Sequence, residues 1–318
     1  MDKIKLNLFD LKSKKDLLSV RKFFSKSILH WFNNDLSPKK KYFRKISCPL
    51  CGEKESNLAF NIENFSYHVC ASCNSIYTNP HLKDGILESL YRDGTYQVYQ
   101  NSLVKSGSKI RKGVLEKRKF NQISSLVNKK NPRILDVGCG RGTFLEICEK
   151  QNWISEGVET SGIVSNNKNI KIYNDDFNTM IFEKKFDVIT FWGVLEHMFD
   201  PIFAIKKAKN LLNENGLISF EVPSSDSFLG EYLKKYSFLP TRYIESARHN
   251  IFFSKKIINQ ISKKFNLEIK KIESNGLDIQ TILLEEFDKK TTDKILNIQD
   301  ILNDLLLGDH YRVFLKKK

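Results

Sequence analysis

The sequence lacks any long apolar segment. No run of 18 or more apolar residues occurs among its 318 residues, so no transmembrane helix is predicted. Its first residues also lack the uninterrupted apolar core of a signal peptide, because five lysines break them up: Lys3, Lys5, Lys12, Lys14 and Lys15. We therefore expect a cytoplasmic protein.

Acidic residues are scarce relative to basic ones. The 37 aspartates and glutamates face 52 lysines and arginines, which gives a formal net charge of +15 at pH 7. Such a surplus attracts nucleic acid, anionic lipid or acidic glycans, but it also occurs on the solvated surface of a lysine-rich chain. Both interpretations stay open. The hydrophobic fraction of 41% is ordinary for a globular protein, and the length allows one large domain and a smaller module.

The first 45 residues form a basic extension that includes a predicted amphipathic helix at 14–34. Five apolar residues recur there at helical spacing, namely Leu17, Val20, Phe24, Ile28 and Trp31. A basic amphipathic helix can lie on a membrane surface, so peripheral membrane contact is one hypothesis. The other is that the apolar stripe packs against the rest of the protein.

Four of the six cysteines form two CxxC pairs, Cys48–Cys51 and Cys70–Cys73, separated by 18 residues. Each pair can direct two thiolates at one ion, and four thiolates complete the tetrahedral shell that structural Zn²⁺ prefers. A shell of four thiolates leaves no position open for catalysis, so we predict a structural zinc ribbon at 46–80. Free buried thiols and an iron–sulfur or redox site are the alternatives. His68 is surplus to this shell and is expected in a strand.

From residue 131 onward, short apolar segments typical of strands alternate with amphipathic segments typical of helices. This alternation predicts an α/β fold with a parallel sheet and helices on both faces. The segments LEIKKIES and TILLEEF are expected to close the sheet as an antiparallel pair. The predicted organisation is a basic helical extension, a zinc ribbon, a helical linker or lid, an α/β domain and a mobile or helical C-terminal tail, at 1–45, 46–80, 81–130, 131–287 and 288–318 respectively.

A glycine-rich turn follows the first strand of the α/β domain, with the sequence DVGCGRG from Asp136 to Gly142. Glycines allow the backbone to turn sharply and to approach a ligand closely. The dehydrogenase fingerprint G-x-G-x-x-G does not match, because Thr143 stands where its last glycine would be. Glu159 ends the second strand, where a carboxylate can accept both ribose hydroxyls of a nucleoside. That feature suits a dinucleotide as well as other nucleoside cofactors.

Six segments in order resemble the class I S-adenosylmethionine-dependent methyltransferases, of the methyltransferase-23-like kind. They are LDVGCGRG, GVETS, NDDF (174–177), FDVITFWGVLEHMFDP (186–201), ENGLISFEVP (214–223) and RHNIFFS (248–254). The resemblance covers roughly residues 130–287 and implies a Rossmann-like seven-stranded methyltransferase sheet. It also implies S-adenosyl-L-methionine as the cofactor.

The resemblance further implies a role for each cofactor-binding residue. The glycine-rich turn that ends at Gly142 would bind the methionine moiety, with Gly138 and Gly140 flanking it. Asp136 would orient the methionine amino group, and Glu159 would hold the ribose. The adenine would be contacted by three residues of the NDDF segment: Asp175, Asp176 and Phe177. For the two aspartates, helix capping is the alternative interpretation.

With its cysteine module, the chain resembles bacterial zinc-ribbon methyltransferases that modify nucleotide-activated sugars or cell-surface glycans. This resemblance implies O- or C-methylation of a small-molecule or glycan acceptor. The sugar C-methyltransferases of this kind continue into a further domain, and this sequence ends about 30 residues after the last predicted strand. The alternatives are an RNA methyltransferase and a non-catalytic binding protein with the same fold.

Two histidines are candidates for a general base. His197 follows the fourth strand and His249 precedes the last helix, so the resemblance places both beside the cleft. An imidazole has the near-neutral pKa that general-base catalysis requires. Structural packing roles are the alternative for each. The long connection at 224–248 is the candidate acceptor lid.

Overall fold

The computed structural model describes residues 21–23, 25–87, 89, 111–162, 167–236, 243–244, 247–283 and 289–318. The chain divides into two compact units, and each is assembled from separate chain segments. Unit 1 comprises Met1–Gly107, Pro223–Ile258 and Glu273–Tyr311, and unit 2 comprises Ser108–Val222, Asn259–Ile272 and Arg312–Lys318. Of the predicted N-terminal helix, residues 21–23 and 25–28 are helical, and residues 14–20 lie outside the described part.

The described residues contain thirteen strands. They are β1 (Phe43–Arg44), β2 (Ser56–Ile62), β3 (Phe65–Cys70), β4 (Ile76–Thr78), β5 (His81–Leu82), β6 (Arg133–Val137), β7 (Ile154–Val158), β8 (Lys171–Tyr173), β9 (Phe186–Trp192), β10 (Leu212–Pro223), β11 (Ile251–Phe252), β12 (Leu267–Asn275) and β13 (His310–Lys317). The α-helices with assigned bounds are α1 (Glu116–Ser124), α2 (Thr143–Lys150), α3 (Pro201–Leu211), α4 (Phe228–Lys235), α5 (Lys255–Lys264), α6 (Asp278–Leu283) and α7 (Lys289–Asp304). None of the helices in this part of the chain is long and apolar enough to cross a membrane.

A seven-stranded sheet, built almost entirely from unit 2, has the strand order β12-β13-β10-β9-β6-β7-β8. The pairs β10–β9, β9–β6, β6–β7 and β7–β8 are parallel. Strand β9 is buried along nearly its whole length, as expected where helices cover both faces of a parallel sheet. The arrangement confirms the predicted Rossmann-like α/β fold.

The predicted C-terminal tail is helical at Lys289–Asp304, as one alternative had it, but its last residues and the predicted last strand pair need correction. TILLEEF is not a strand, because Thr281–Leu283 belong to helix α6, and 284–288 lie outside the described residues. The partner of β12 is instead β13, which lies between β12 and β10. Residues 310–317 are therefore part of the sheet, and Tyr311–Leu315 are buried. The strand was missed because Arg312 interrupts its apolar run. In the folded protein the Arg312 guanidinium donates to Glu221 and Gln122.

Unit 1 contains a four-stranded sheet of order β11-β4-β3-β2, in which all three pairs are antiparallel. A separate two-stranded ribbon pairs β1 with β5. Among the described residues, eight of the 17 buried residues in the hydrophobic core of unit 1 are aromatic, including Trp31, Phe43, Phe65, Tyr67 and Phe252. His68 lies in β3, as expected, and its Nδ1 is 3.3 Å from the Ser56 hydroxyl.

Candidate cofactor and metal sites

The glycine-rich turn joins β6 to α2 in a left-handed conformation that favours glycine. Gly138, Gly140 and Gly142 have φ angles of 68°, 54° and 75°. A Cβ added to Gly138 would lie 2.5 Å from Val194 Cγ2, so that position is closed by the protein itself. A Cβ added to Gly140 would meet no atom within 4 Å among the residues that the structure describes. The backbone at Gly140 is thus open to close approach by a ligand.

Glu159 lies directly after β7 and supports the turn. Its Oε2 accepts the backbone N–H of Gly140 at 2.9 Å, and its Oε1 accepts the backbone N–H of Ser161 at 2.9 Å. Each carboxylate oxygen has two lone pairs, so one on each remains for the hydroxyls of a ribose. The side chain is largely buried, with 8% of the residue exposed. The geometry fits the role expected of Glu159.

Asp136 lies in β6 and is buried, with 3% of the residue exposed. The Thr190 hydroxyl of β9 donates to Asp136 Oδ1 at 2.6 Å. Burial raises the pKa of Asp136 to about 7, although the hydrogen bond from Thr190 and the nearby Lys119 ammonium lower it. A cationic group of a ligand placed beside Asp136 would stabilise the ionised form of this buried carboxylate. Thr190 was missed from the sequence, and its only indication was a lone hydroxyl in the apolar FDVITFW strand.

The segment after β8 places Asp175, Asp176 and Phe177 together. Asp176 Oδ1 accepts the backbone N–H of Asn178 at 2.8 Å, and Asp175 Oδ1 accepts the backbone N–H of Asp176. Phe177 is 2% exposed and packs edge-on against Phe191. These bonds stabilise a local turn, and because residues 174–185 contain no helix, the helix-capping interpretation of the two aspartates is wrong.

The remaining cysteines of unit 2 pack in its interior. Cys148 is buried in α2, and burial raises the pKa of its thiol well above the usual value. A Cβ added to Gly157 would lie only 2.4 Å from the Cys139 sulfur. Cys139 is therefore a small side chain packed against Gly157 of β7.

The four paired cysteines meet in unit 1, and all four sulfurs lie within 4.8 Å of one another. Cys48 Sγ is 3.7 Å from Cys73 Sγ, and Cys51 Sγ is 3.5 Å from Cys70 Sγ. A tetrahedron with zinc–sulfur bonds of about 2.3 Å has sulfur–sulfur edges of about 3.8 Å. The donor set and its spacing therefore fit one Zn²⁺.

Both CxxC turns have the same backbone hydrogen bonds. The N–H of Cys48 donates to Glu53 O, and the N–H of Gly52 donates to Cys48 O. The second turn repeats the pattern with Cys70, Asn74 and Ser75. Gly52 and Asn74 both have positive φ, at 83° and 63°. Two matched turns of this kind present their thiols from two sides of one site, as a zinc ribbon requires.

The two candidate bases belong to different units. In unit 2, His197 ends a 3₁₀ turn, and its Nε2 is 3.9 Å from Glu196 Oε1. In unit 1, His249 Nδ1 is 2.5 Å from the carbonyl oxygen of Tyr243. A carbonyl only accepts, so Nδ1 of His249 carries the proton, and in the neutral ring Nε2 is the unprotonated, basic nitrogen.

The parallel sheet, the open glycine turn at the end of β6 and the acidic residue at the end of β7 define a Rossmann-like nucleoside-binding protein. Residues 110–272, just over half of the chain, match the family described as "Methyltransferase domain". The chain belongs to this methyltransferase family, as the sequence motifs predicted.

Sequence comparison finds similar proteins among characterised methyltransferases. A ubiquinone biosynthesis O-methyltransferase of Histophilus somni is 33% identical over 116 residues, which are 31% of this chain and 47% of that protein. A tRNA U34 carboxymethyltransferase of Nautilia profundicola is 27% identical over 178 residues, 51% of this chain and 56% of that protein. The chain thus spans about half the length of each.

Among solved structures, phosphoethanolamine N-methyltransferase 2 of Haemonchus contortus, in complex with S-adenosyl-L-methionine, has a TM-score of 0.50. It is 17% identical, and the match covers 76% of this chain and 62% of that one. This likeness supports the S-adenosylmethionine-dependent methyltransferase fold.

Proposed function

We propose that the chain transfers a methyl group from S-adenosyl-L-methionine to a hydroxyl of a small-molecule or glycan acceptor. The observation that carries the proposal is the cofactor geometry within a chain of the methyltransferase family. Gly140 leaves its backbone open, while Glu159 binds that same backbone and retains lone pairs for a ribose. S-adenosylmethionine supplies an activated methyl group on a sulfonium, so the protein mainly has to position it.

Each cofactor-binding residue has a specific part in this proposal. Gly138, Gly140 and Gly142 shape the turn around the methionine moiety, and the Asp136 carboxylate binds its ammonium group. Asp175 or Asp176 accepts the adenine amino group, beside the Phe177 ring. The cofactor's positive charge next to Asp136 offsets the cost of keeping that carboxylate buried and ionised.

One structural zinc ion belongs to the proposal, bound by Cys48, Cys51, Cys70 and Cys73. Four thiolates saturate a tetrahedral shell, so the ion would stabilise the ribbon and take no part in catalysis. The proposed ribbon spans 46–80 as predicted, whereas the methyltransferase domain predicted at 131–287 must also include β13, His310–Lys317. A cytoplasmic location stays a prediction.

The acceptor is best sought among small hydroxyl compounds. The Histophilus relative is named an O-methyltransferase, and the layout of cysteine module and α/β domain resembles methyltransferases of nucleotide sugars and glycans. The runner-up acceptor is RNA. It is favoured by Lys40, Lys41, Arg44 and Lys45, all exposed within one stretch of unit 1, and by the tRNA-modifying relative. Incubation with radiolabelled S-adenosylmethionine and either nucleotide-sugar, quinol or tRNA pools distinguishes the classes.

We further propose His249 as the general base, with His197 as the alternative. The carbonyl of Tyr243 orients the His249 ring and fixes the proton on Nδ1, which leaves Nε2 able to take a proton from an acceptor hydroxyl. His197 lies beside the Glu196 carboxylate in a buried turn, where a structural role fits better.

Calorimetry on the purified protein tests the cofactor proposal. S-adenosylhomocysteine should bind in the micromolar range. Glu159→Ala should abolish binding, because it removes both the carboxylate that accepts hydrogen bonds from the ribose hydroxyls and the hydrogen bond to the Gly140 backbone. The matched control is Glu183→Ala, since Glu183 is exposed. Tight binding of NADH without binding of S-adenosylhomocysteine would overturn the proposal.

A further inference from the structure

Lys207 makes an unusual set of contacts for a lysine on a helix. It lies in α3, and its ammonium donates to the backbone carbonyl oxygens of Asn178, at 3.0 Å, and of Met180. The same ammonium lies 5.3 Å from the ring centroid of Phe177 and 5.9 Å from that of Phe182. All these residues belong to one segment, 177–182, and to unit 2.

This placement works against the ordinary behaviour of lysine. A lysine ammonium is strongly hydrated and usually extends into water. The Lys207 ammonium is instead partly withdrawn from water, and this burial lowers its pKa, while the Asp176 and Asp175 carboxylates act in the opposite direction. Such a withdrawal is offset only by specific partners, here two carbonyls and two aromatic faces.

The segment that Lys207 binds has no regular secondary structure, and the rings of Phe177 and Phe182 pack against neighbouring aromatic residues. Residues 174–185 contain no helix or strand. The backbone N–H of Met180 donates to Asp176 O, and the Asp176 carboxylate accepts from Asn178 N, so the bonds at its beginning are local. The Lys207 ammonium adds two hydrogen bonds that connect the far side of this turn to helix α3.

We propose that Lys207 is a positioning residue that makes the segment 175–180 selective for adenine. This proposal rests on the proposed function. By fixing the carbonyls of Asn178 and Met180, Lys207 holds the Asp176 carboxylate and the Phe177 ring in one arrangement before the cofactor arrives. Such preorganisation increases affinity because less freedom is lost on binding.

The chain supplies a matched control in the neighbouring residue. Lys206 is on the same helix and is exposed, so Lys206→Met removes an identical charge without touching the segment. Lys207→Met removes the donor and keeps the apolar stem. Lys207→Arg keeps a cation that can donate to both carbonyls, and Lys207→Gln is a second neutral variant should Lys207→Met fail to fold.

The experiment measures two dissociation constants for each variant by calorimetry. One ligand is S-adenosylhomocysteine. The other is S-inosylhomocysteine, in which an oxo group replaces the adenine amino group, and its dissociation constant is measured by competition. Lys207→Met or Lys207→Gln should weaken S-adenosylhomocysteine about 10-fold or more, the value of a charge-assisted hydrogen bond, and leave S-inosylhomocysteine within about 2-fold. Lys207→Arg should keep most of the preference for adenine, and Lys206→Met all of it.

The outcomes separate this proposal from the function it rests on. If the wild-type protein does not bind S-adenosylhomocysteine, the cofactor proposal itself is wrong. If the wild type binds it and both neutral Lys207 variants keep the wild-type preference, only the positioning role is wrong. An equal loss for both ligands would mean that Lys207 merely stabilises the fold, which also overturns the proposal.

Discussion

Asp136 provides a test of whether a residue proposed to bind the cofactor destabilises the protein when no cofactor is bound. Its carboxylate is buried at the end of β6, and burial raises its pKa to about 7 from 3.8. Replacement by asparagine keeps an oxygen that can accept the Thr190 hydroxyl but removes the charge. We expect Asp136→Asn to stabilise the protein without ligand at neutral pH and to weaken cofactor binding.

The size and the sign of this effect follow from the two pKa values. Below about pH 4 the carboxyl is protonated in the folded and the unfolded chain, so the charge costs nothing. Between about pH 4 and 7 the unfolded chain loses the proton first, and the stability of the wild type falls as the pH rises. The difference between 3.8 and about 7, at 1.36 kcal/mol per unit, gives a penalty of up to about 4 kcal/mol above pH 7.

Urea unfolding of both proteins at pH 5, 6, 7 and 8, without ligand, measures the difference. The gain in the free energy of unfolding from Asp136→Asn should grow from about 1.5 kcal/mol at pH 5 to a plateau above pH 7. A gain that does not change with pH would refute the reasoning. Asp187→Asn is the opposite control. Burial alone would raise the Asp187 pKa, but hydrogen bonds from Lys129, Arg133 N–H and Asn213 outweigh it and lower that pKa, so Asp187→Asn should destabilise at neutral pH.

Three further predictions follow from the two sites and the candidate bases. Gly140→Val should abolish S-adenosylhomocysteine binding in calorimetry, because a branched side chain is strained at a φ of 54° and would occupy the open space beside the turn. Unchanged affinity would contradict the role of the turn. Elemental analysis should find one zinc per chain, and Cys51→Ser should lower the melting temperature, since metal binding is coupled to folding; metal-free folded protein would disprove the ribbon. His249→Ala should reduce turnover about 10²-fold with unchanged cofactor affinity, whereas His197→Ala should impair cofactor binding or stability; full turnover of His249→Ala would leave it a packing residue.

Much of the α/β domain could be predicted from the sequence because its buried strands are short apolar runs. RILDV corresponds to β6 without change, and FDVITFW to β9. The clustering of the four cysteines could also be predicted, because two CxxC pairs are typical of a metal site, and the structure brings all four sulfurs together. In both cases the signal is local: a buried strand is a run of apolar residues, and each half of the cysteine cluster is a short CxxC motif.

Other features depend on partners that are distant in sequence. Strand β13 was missed because Arg312 makes sense inside a sheet only once Glu221 and Gln122 lie beside it. Thr190 gains its role only from Asp136, 54 positions away. Lys207 reads as an ordinary surface lysine until α3 is packed near residues 178–180. Side-chain pairs of this kind leave no local periodicity for a sequence pattern to detect.

The position of β13 has a consequence for synthesis of the protein on the ribosome. Translation is vectorial, yet this strand lies between β12 and β10, whose residues are made earlier. While residues 276–309 are being added, the facing sides of β10 and β12 have no neighbour, and unpaired strand edges recruit other chains. A nascent chain at that stage should depend on chaperones, and early termination before residue 310 should yield aggregates. Strands β2, β3 and β4 are contiguous, so the ribbon hairpins can pair long before that point.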